Sequence, residues 1–213
     1  MFVITADQVN SRGTSDLVAA TLDALNRESG LTLPAERTAG DELQLVTADA
    51  GTALRVLLEL SRSEQWSSGC GIGPVDTPLP KSTREASGDA FIAARAAIDR
   101  AKKRATRTAI VSAGSDAAPS ASDLQAVLDL LLQLRERRSA EGWELYDLVR
   151  DGRSQADAAA VLGITPQAAS KRAQAAHLRA EAEATVALAR LMEAHDASTS
   201  VASAAPTAAT NTD

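Results

Sequence analysis

An acidic pair, Asp41-Glu42, directly follows a glycine in RTAGDELQLV, and Asp7 closes the apolar run FVITA near the start of the chain. Two carboxylates held a few ångströms apart repel, and the repulsion either raises one pKa or recruits a cation. Mg²⁺ answers that need at Asp7 and Asp41, because it takes one or two protein carboxylates and completes its octahedron with water and phosphate oxygens. Taken singly, each aspartate also suits an ordinary turn, which Asp favours without any ligand. Convergence of the two is what points to a metal.

A second group of residues points to a phosphate-bearing ligand. In WSSGCGIGPV, Gly69, Gly71 and Gly73 alternate, so one face of a strand is bare while Cys70 and Ile72 point to the other. Either a helix packs tightly on that face or a base or ribose approaches it. The stretch STREASGDAF leads into a helix, where Arg84, Ser87 and the free N–H groups of Gly88 and Asp89 can face an anion. Ser and Gly are equally common as caps without a phosphate.

A third group lies in RSQADAAAVLGITPQAASKRAQAAHLR. Ser154 with Asp157 forms an N-terminal capping pattern, and Ala158, Val161 and Leu162 give an apolar face. Gly163 ends that helix, Ile164 plugs the turn, Thr165 caps the next helix, and Pro166 takes its first position. Ala169, Ala173 and Ala176 form an inward stripe. Gln167, Ser170, Lys171, Arg172 and Gln174 lie outward, groups that bond to base edges and phosphates. The stretch resembles helix-turn-helix segments of bacterial regulators and of sigma-factor region four, and the alternative is a plain αα corner. In such motifs the early residues of the second helix read bases. Gln167, Ser170 and Lys171 are then the base readers, Arg172 and Arg153 phosphate contacts, with Thr165 and Gln174 alongside.

The elements that must position these groups follow from periodicity. Residues 2–6 read as a buried strand, followed by a helix capped by Thr14 or Ser15 and ended by Gly30. Residues 35–39 and 42–47 flank Gly40-Asp41 as a hairpin with a type II′ turn. Asp49 caps the next helix, residues 66–75 form a strand, residues 88–104 a helix with Phe91, Ile92 and Ile98 inward, and residues 108–112 a fifth strand. The order β-α-β-β-α-β-α-β predicts an α+β fold, ferredoxin-like or palm-like, with an antiparallel sheet and its helices on one face. That topology carries Asp7 to the hairpin turn holding Asp41. Residues 114–121 read as a linker between this domain, 1–113, and an all-α helix-turn-helix domain, 122–196. Residues 197–213 lack large apolar groups and read as a disordered tail.

The chain has 213 residues, 45% of them hydrophobic, enough for a packed core, and a net charge of -6 argues against coating nucleic acid by bulk attraction. A single cysteine permits no internal disulfide, and neither a basic leader nor a membrane-spanning run is read, so a cytoplasmic protein is expected. His177 and His195 have no partners at zinc spacing. The basic run Arg100, Lys102, Lys103, Arg104 and Arg107 reads as a solvated helix end or a secondary phosphate contact. Leu178, Thr185, Leu188, Leu191 and Met192 line one side of the last helix, which either makes a homodimer or folds back on 122–138.

Together, ITADQVNSR, AGDELQ, GCGIGPV and SGDAFIAAR resemble the SatD-like family of bacterial proteins and, more distantly, the palm-like core of class III nucleotide cyclases and diguanylate cyclases. The resemblance covers about the first 112 residues. It implies that Asp7 and Asp41 bind metal ions holding a nucleoside triphosphate, with Glu42 following as in the diguanylate cyclase hairpin. Cyclases also present an Asn and an Arg one turn apart on the helix after the Gly-rich strand, where this chain has Ile92 and, approximately in the Arg position, Arg95. The hairpin has one glycine where diguanylate cyclases have two. Loss of a transition-state donor lowers turnover while sparing binding. The expectation is a DNA-binding regulator whose first domain senses a nucleotide triphosphate or cyclic nucleotide with Mg²⁺. The alternatives are a cyclase-type enzyme using two-metal phosphoryl transfer at Asp7 and Asp41, and a protein-interaction scaffold without catalysis.

Overall fold

The computed structural model describes residues 1–11, 13, 15–114 and 118–204. The β-formers of FVITADQ make β1, Phe2–Gln8, and the helix after it, α1, is Val18–Leu25. Its N-cap is Leu17 without a side-chain cap, so the helix starts later than a Thr14 or Ser15 cap would place it; Thr14 lies outside the described residues. Gln8 sets this entry, its Nε2 donating to Ser15 O at 2.8 Å and its Oε1 accepting from Leu17 N–H at 3.0 Å.

Strands β2, Leu31–Arg37, and β3, Glu42–Thr47, form the hairpin. Gly40 has φ 56, the left-handed backbone that a primed turn requires, and Glu42 N–H closes the turn on Ala39 O at 2.9 Å. Next come α2, Ala50–Leu60, capped by Asp49 as expected, and β4, Trp66–Ile72. A single 3-10 turn at Thr83–Glu85 precedes α3, Asp89–Ala101, and β5 is Thr108–Ser112.

The five strands lie in the order β2-β3-β1-β4-β5. β1 runs antiparallel to β3 and β4, whereas β4 and β5 are parallel. The sheet is therefore mixed, because the connection through α3 is long enough to return the chain in the same direction. Period two puts Val3, Thr5 and Asp7 on one face with Val46, Gln44 and Glu42 of β3 and Gly71, Gly69 and Ser67 of β4. Phe2, Ile4, Leu43, Leu45, Cys70 and Ile72 take the other face and are buried.

Helix α3 fills the glycine face. A Cβ on Gly69 would stand 2.4 Å from Ile98 N, and one on Gly71 2.1 Å from Ala90 O. Helix α2 packs against strands β1, β3 and β4, and none of its described residues joins the cluster that Val3 and Val46 make with Ala90 and Ala94 on the α3 side, so it covers the opposite, apolar face. Helices thus flank both faces, contrary to the one-sided arrangement expected from the element order. The near-contact with glycine also decides which side of α3 turns inward: Ala90, Ala94, Ala97 and Ile98 are buried, and Ile92, expected inside, is 71% exposed. Directly over Gly71 and Gly69 the helix presents Ala90, Ala94 and Ala97, whose short side chains allow that distance.

The helices that follow are α4, Ala121–Glu136; α5, Ala140–Arg150; α6, Gln155–Val161; α7, Pro166–Ala175; and α8, Leu178–Ala204. The chain divides into two compact units, Met1–Ala126 with the chain from Ala189, and Val127–Leu188. The division falls inside α4 and α8, not at 114–121, of which residues 115–117 lie outside the described residues. Residues 197–204, expected to belong to a disordered tail, continue α8, and 205–213 lie outside the described residues. His195 anchors this end, its ring buried and its Nδ1 2.7 Å from Pro119 O, both within the first unit. None of the helices among the described residues is long and apolar enough to cross a membrane.

Candidate functional site

The β1–β3 ladder places Asp7 directly opposite Glu42, so their side chains leave the same face of the sheet. Asp41, the expected partner of Asp7, sits one residue beyond the ladder in the turn, where its backbone carbonyl accepts from Gln8 N–H at 3.3 Å. Each ladder carboxylate meets a cation from the α3 side. Lys102 Nζ, just past the end of α3, donates to Asp7 Oδ2 at 2.5 Å, and Arg95 Nη1 lies 3.4 Å from Glu42 Oε2. Thr38 Oγ1 also donates to Glu42 Oε1 at 2.6 Å.

Among the described residues no group of three or more His, Cys, Asp or Glu side chains is placed to hold a metal ion. Two carboxylates suffice for Mg²⁺ when a phosphate and water complete its shell. The carboxylate in register with Asp7 is Glu42, and an ion between them would compete with Lys102 for Asp7. Arg95, carried over from the cyclase resemblance, does reach this group through Glu42.

The residues expected to hold the phosphate lie elsewhere. Gly88 caps the N-terminal end of α3, whereas Lys102 at its C-terminal end contacts Asp7. At 1.5 Å per residue these ends are about 20 Å apart. Ser87 Oγ donates to Asp76 Oδ2 at 2.7 Å, and Arg84 is committed to Glu36, with its N–H 3.1 Å and its Nε 3.6 Å from Oε2. The Ser82 hydroxyl donates to the same carboxylate and is the first cause of its lowered pKa. Gly88 has φ 132, and a Cβ there would meet Val75 Cα at 2.8 Å, so backbone geometry accounts for the glycine. Gly71 faces α3, and a Cβ on Gly73 would lie 2.8 Å from Ala113 Cβ, so the close approach these glycines permit is made by the protein itself. Arg84, Ser87, Gly88, Gly71 and Gly73 therefore do not join Asp7 in one pocket. Burial pushes the Cys70 thiol up to about 12, which leaves it a neutral packing group.

In the second unit the caps and the turn glycine stand as read from the sequence. Ser154 Oγ accepts from Asp157 N–H at 3.1 Å, and Thr165 Oγ1 accepts from Ala168 N–H at 3.2 Å. Gly163 takes the left-handed backbone, φ 64, that ends α6. Ala158, Ala159, Ala169, Ala173 and Ala176 pack with Leu145 and Leu178, and Ile164 leans on this cluster. Ala159 takes the inward place expected of Val161, which is 54% exposed. Arg153, Thr165, Gln167, Ser170, Lys171 and Gln174 are exposed; Arg172 is half-buried, its Nη1 3.7 Å from Glu144 Oε2 on α5.

One feature of this unit escaped the sequence. Glu181 is buried between Arg135 and Arg138 and ion-paired with both. Both guanidinium groups also stack near Trp143 and Tyr146, with Arg138 Cζ 4.4 Å from the Trp143 ring centre. The weak signal available was the charged pair 135 and 138 bracketing a helix end, which reads more simply as solvated. Comparison with protein-family models, curated proteins and solved structures finds no match to this chain.

Proposed function

We propose that the protein is a DNA-binding regulator acting through α6 and α7 as a helix-turn-helix. The observation that carries this reading is the division of α7. Ala169 and Ala173 are buried, while Gln167, Ser170, Lys171 and Gln174 stand exposed on a helix with a capped N-terminus. Gln167, Ser170 and Lys171 read base edges, and Arg153 with Arg172 supplies phosphate contacts. Dimeric readers of this kind span half-sites about 34 Å apart, so a homodimer in the cytoplasm belongs to the proposal.

Anisotropy titration of the full chain against duplex DNA tests it. Affinity falls steeply with salt, and Lys171→Ala with Arg172→Ala flattens the slope by about 0.9 per lost phosphate contact. Unchanged affinity in the double variant overturns the reading and favours a protein-interaction scaffold.

The pairing of Asp7 with Glu42 supports a second, linked reading for the sheet domain. Strand order and element order suit a palm-like, SatD-like domain, and the two carboxylates suit a Mg²⁺-bound nucleotide phosphate. Mg²⁺ would neutralise the phosphate charge; Asp7 and Glu42 would hold the ion, and Arg95 would steady Glu42. A cyclase activity is the weaker alternative, since exposed Ile92 stands where the transition-state Asn is expected. Thermal unfolding against nucleotides with and without Mg²⁺ tests binding, a ligand at 100 times its Kd adding about 2.7 kcal/mol. A shift that survives in Asp7→Ala places the nucleotide elsewhere, and pyrophosphate release lost in Asp7→Ala restores the enzyme.

A further inference from the structure

Helix α7 is held by little apolar surface. Its buried residues are Ala169 and Ala173, and its C-cap, Ala176, is buried as well, so the helix brings methyl groups to the cluster it packs in. Methyl groups interlock weakly, and a core without interdigitating side chains fixes a fold before it fixes an orientation. Reading base edges requires an orientation, because hydrogen bonds to a base weaken steeply once donor and acceptor fall out of line.

The end of α7 carries a polar anchor instead. Ala176 O belongs to the carbonyls that the last turn of a helix leaves without an internal partner. Arg138 satisfies it, with Nε and Nη2 donating at 3.3 and 3.0 Å. His177, at φ 53, then turns the chain into α8, and Arg138 Nη2 also pairs with Glu181 in the first turn of α8. One guanidinium, fully buried and with Cζ 4.4 Å from the Trp143 ring centre, thus grips the chain on both sides of the turn. The fit around it is close: a Cβ on Gly142 of α5 would stand 2.8 Å from Arg138 Cγ and 3.1 Å from Ala176 Cβ. A planar, rigid fork fixes direction as well as distance, which an ammonium does not.

We propose that Arg138 is a positioning residue that sets the orientation of α7 on DNA, and with it the choice of base sequence, while touching no nucleic acid itself. The inference rests on α7 being the DNA-reading helix. Phosphate contacts from long side chains survive a small tilt of that helix, whereas base-edge bonds do not.

The test is anisotropy titration of the full chain with a duplex enriched from a random library by the parent protein and with a scrambled duplex of the same composition. Arg138→Gln leaves Glu181 paired with Arg135, a neutral pair, so the unit is expected to fold. The variant lowers the ratio of the two affinities about tenfold, the worth of roughly one base contact. Affinity for the scrambled duplex changes by less than about twofold, and the salt slope is kept. Arg135→Gln takes a buried guanidinium from the same Glu181 but leaves both bonds to Ala176 in place, and it keeps the ratio. Arg138→Lys, which keeps the charge against Glu181 without the fork, also lowers the ratio and replaces the glutamine variant if circular dichroism shows that one to have lost helix. The proposal falls if the Arg138 variants keep the parent's ratio, or if Arg135→Gln lowers it equally, since a general loosening of the unit then explains both. A parent chain that enriches no duplex overturns the DNA reading and this inference with it, whereas the variant results overturn the inference alone.

Discussion

Asp7 on β1 and Glu42 on β3 stand as direct cross-strand partners, and each carboxylate is answered by a cation from the α3 side, Lys102 and Arg95 respectively. Like charges directly opposite destabilise a sheet unless something neutralises them. Here two side chains one helical stretch apart do so. A divalent ion would perform the same office with a phosphate behind it.

Lys102 is the group such an ion must displace. Its side chain is 45% exposed, so solvent screens the pair and Lys102→Met lowers stability by less than about 1 kcal/mol. On the proposed Mg²⁺ site the same variant is expected to tighten Mg²⁺ or Mn²⁺ binding, because Asp7 and Glu42 then lack half their counter-charge. Manganese titration by electron paramagnetic resonance measures it; a weaker affinity than the parent's would argue that Lys102 organises the site.

Gly71 is held by backbone, not by a ligand. A methyl group there would meet Ala90 O at 2.1 Å and Ala94 N at 2.3 Å, atoms of a packed helix that cannot swing aside. Gly71→Ala is expected to cost about 1–3 kcal/mol or more in urea unfolding. Gly40→Ala meets no atom within 4 Å and pays only for its positive φ, about 1–2 kcal/mol.

Glu181→Gln removes the one carboxylate between two buried guanidinium groups. Breaking such an arrangement leaves charge buried and unpaired, so a loss of about 3–5 kcal/mol is expected. Arg179→Ala, which breaks the exposed pair with Glu183 on the same helix, leaves the melting temperature nearly unchanged. Equal effects of the two variants would show that the buried triad is not what ties α4 to α8.

Asp49 gives a pH prediction with a definite sign. Hydrogen bonds from Thr52, side chain first and then backbone N–H, lower its pKa from the ordinary 3.8. A depressed folded value contributes stability that is present above the unfolded value and is lost as pH falls through the folded one. Asp49→Asn keeps a good cap and is expected to match the parent within about 0.5 kcal/mol at pH 7. Below pH 3.8 the variant loses less stability than the parent, as urea unfolding across that range reports.

Local chemistry alone determined much of this molecule. Asp49, Ser154 and Thr165 cap the helices they were expected to cap, Gly40 and Gly163 take left-handed backbone, and the alanine stripe of α7 turns inward. Each depends on atoms within a few residues, so neighbours in the chain carry the information. Tertiary structure decided the rest. Whether Asp7 faces Asp41 or Glu42 is a matter of ladder register, and one residue changes the face. Ile92 points outward because Ala90, Ala94 and Ala97 are the residues of α3 that lie on the bare glycines of β4, a fact belonging to two elements at once. The rigid length of α3 parts Gly88 from Asp7, and burial of Glu181 between two arginines needs residues 43 and 46 positions apart. No short window of the chain contains those distances; only packing sets them.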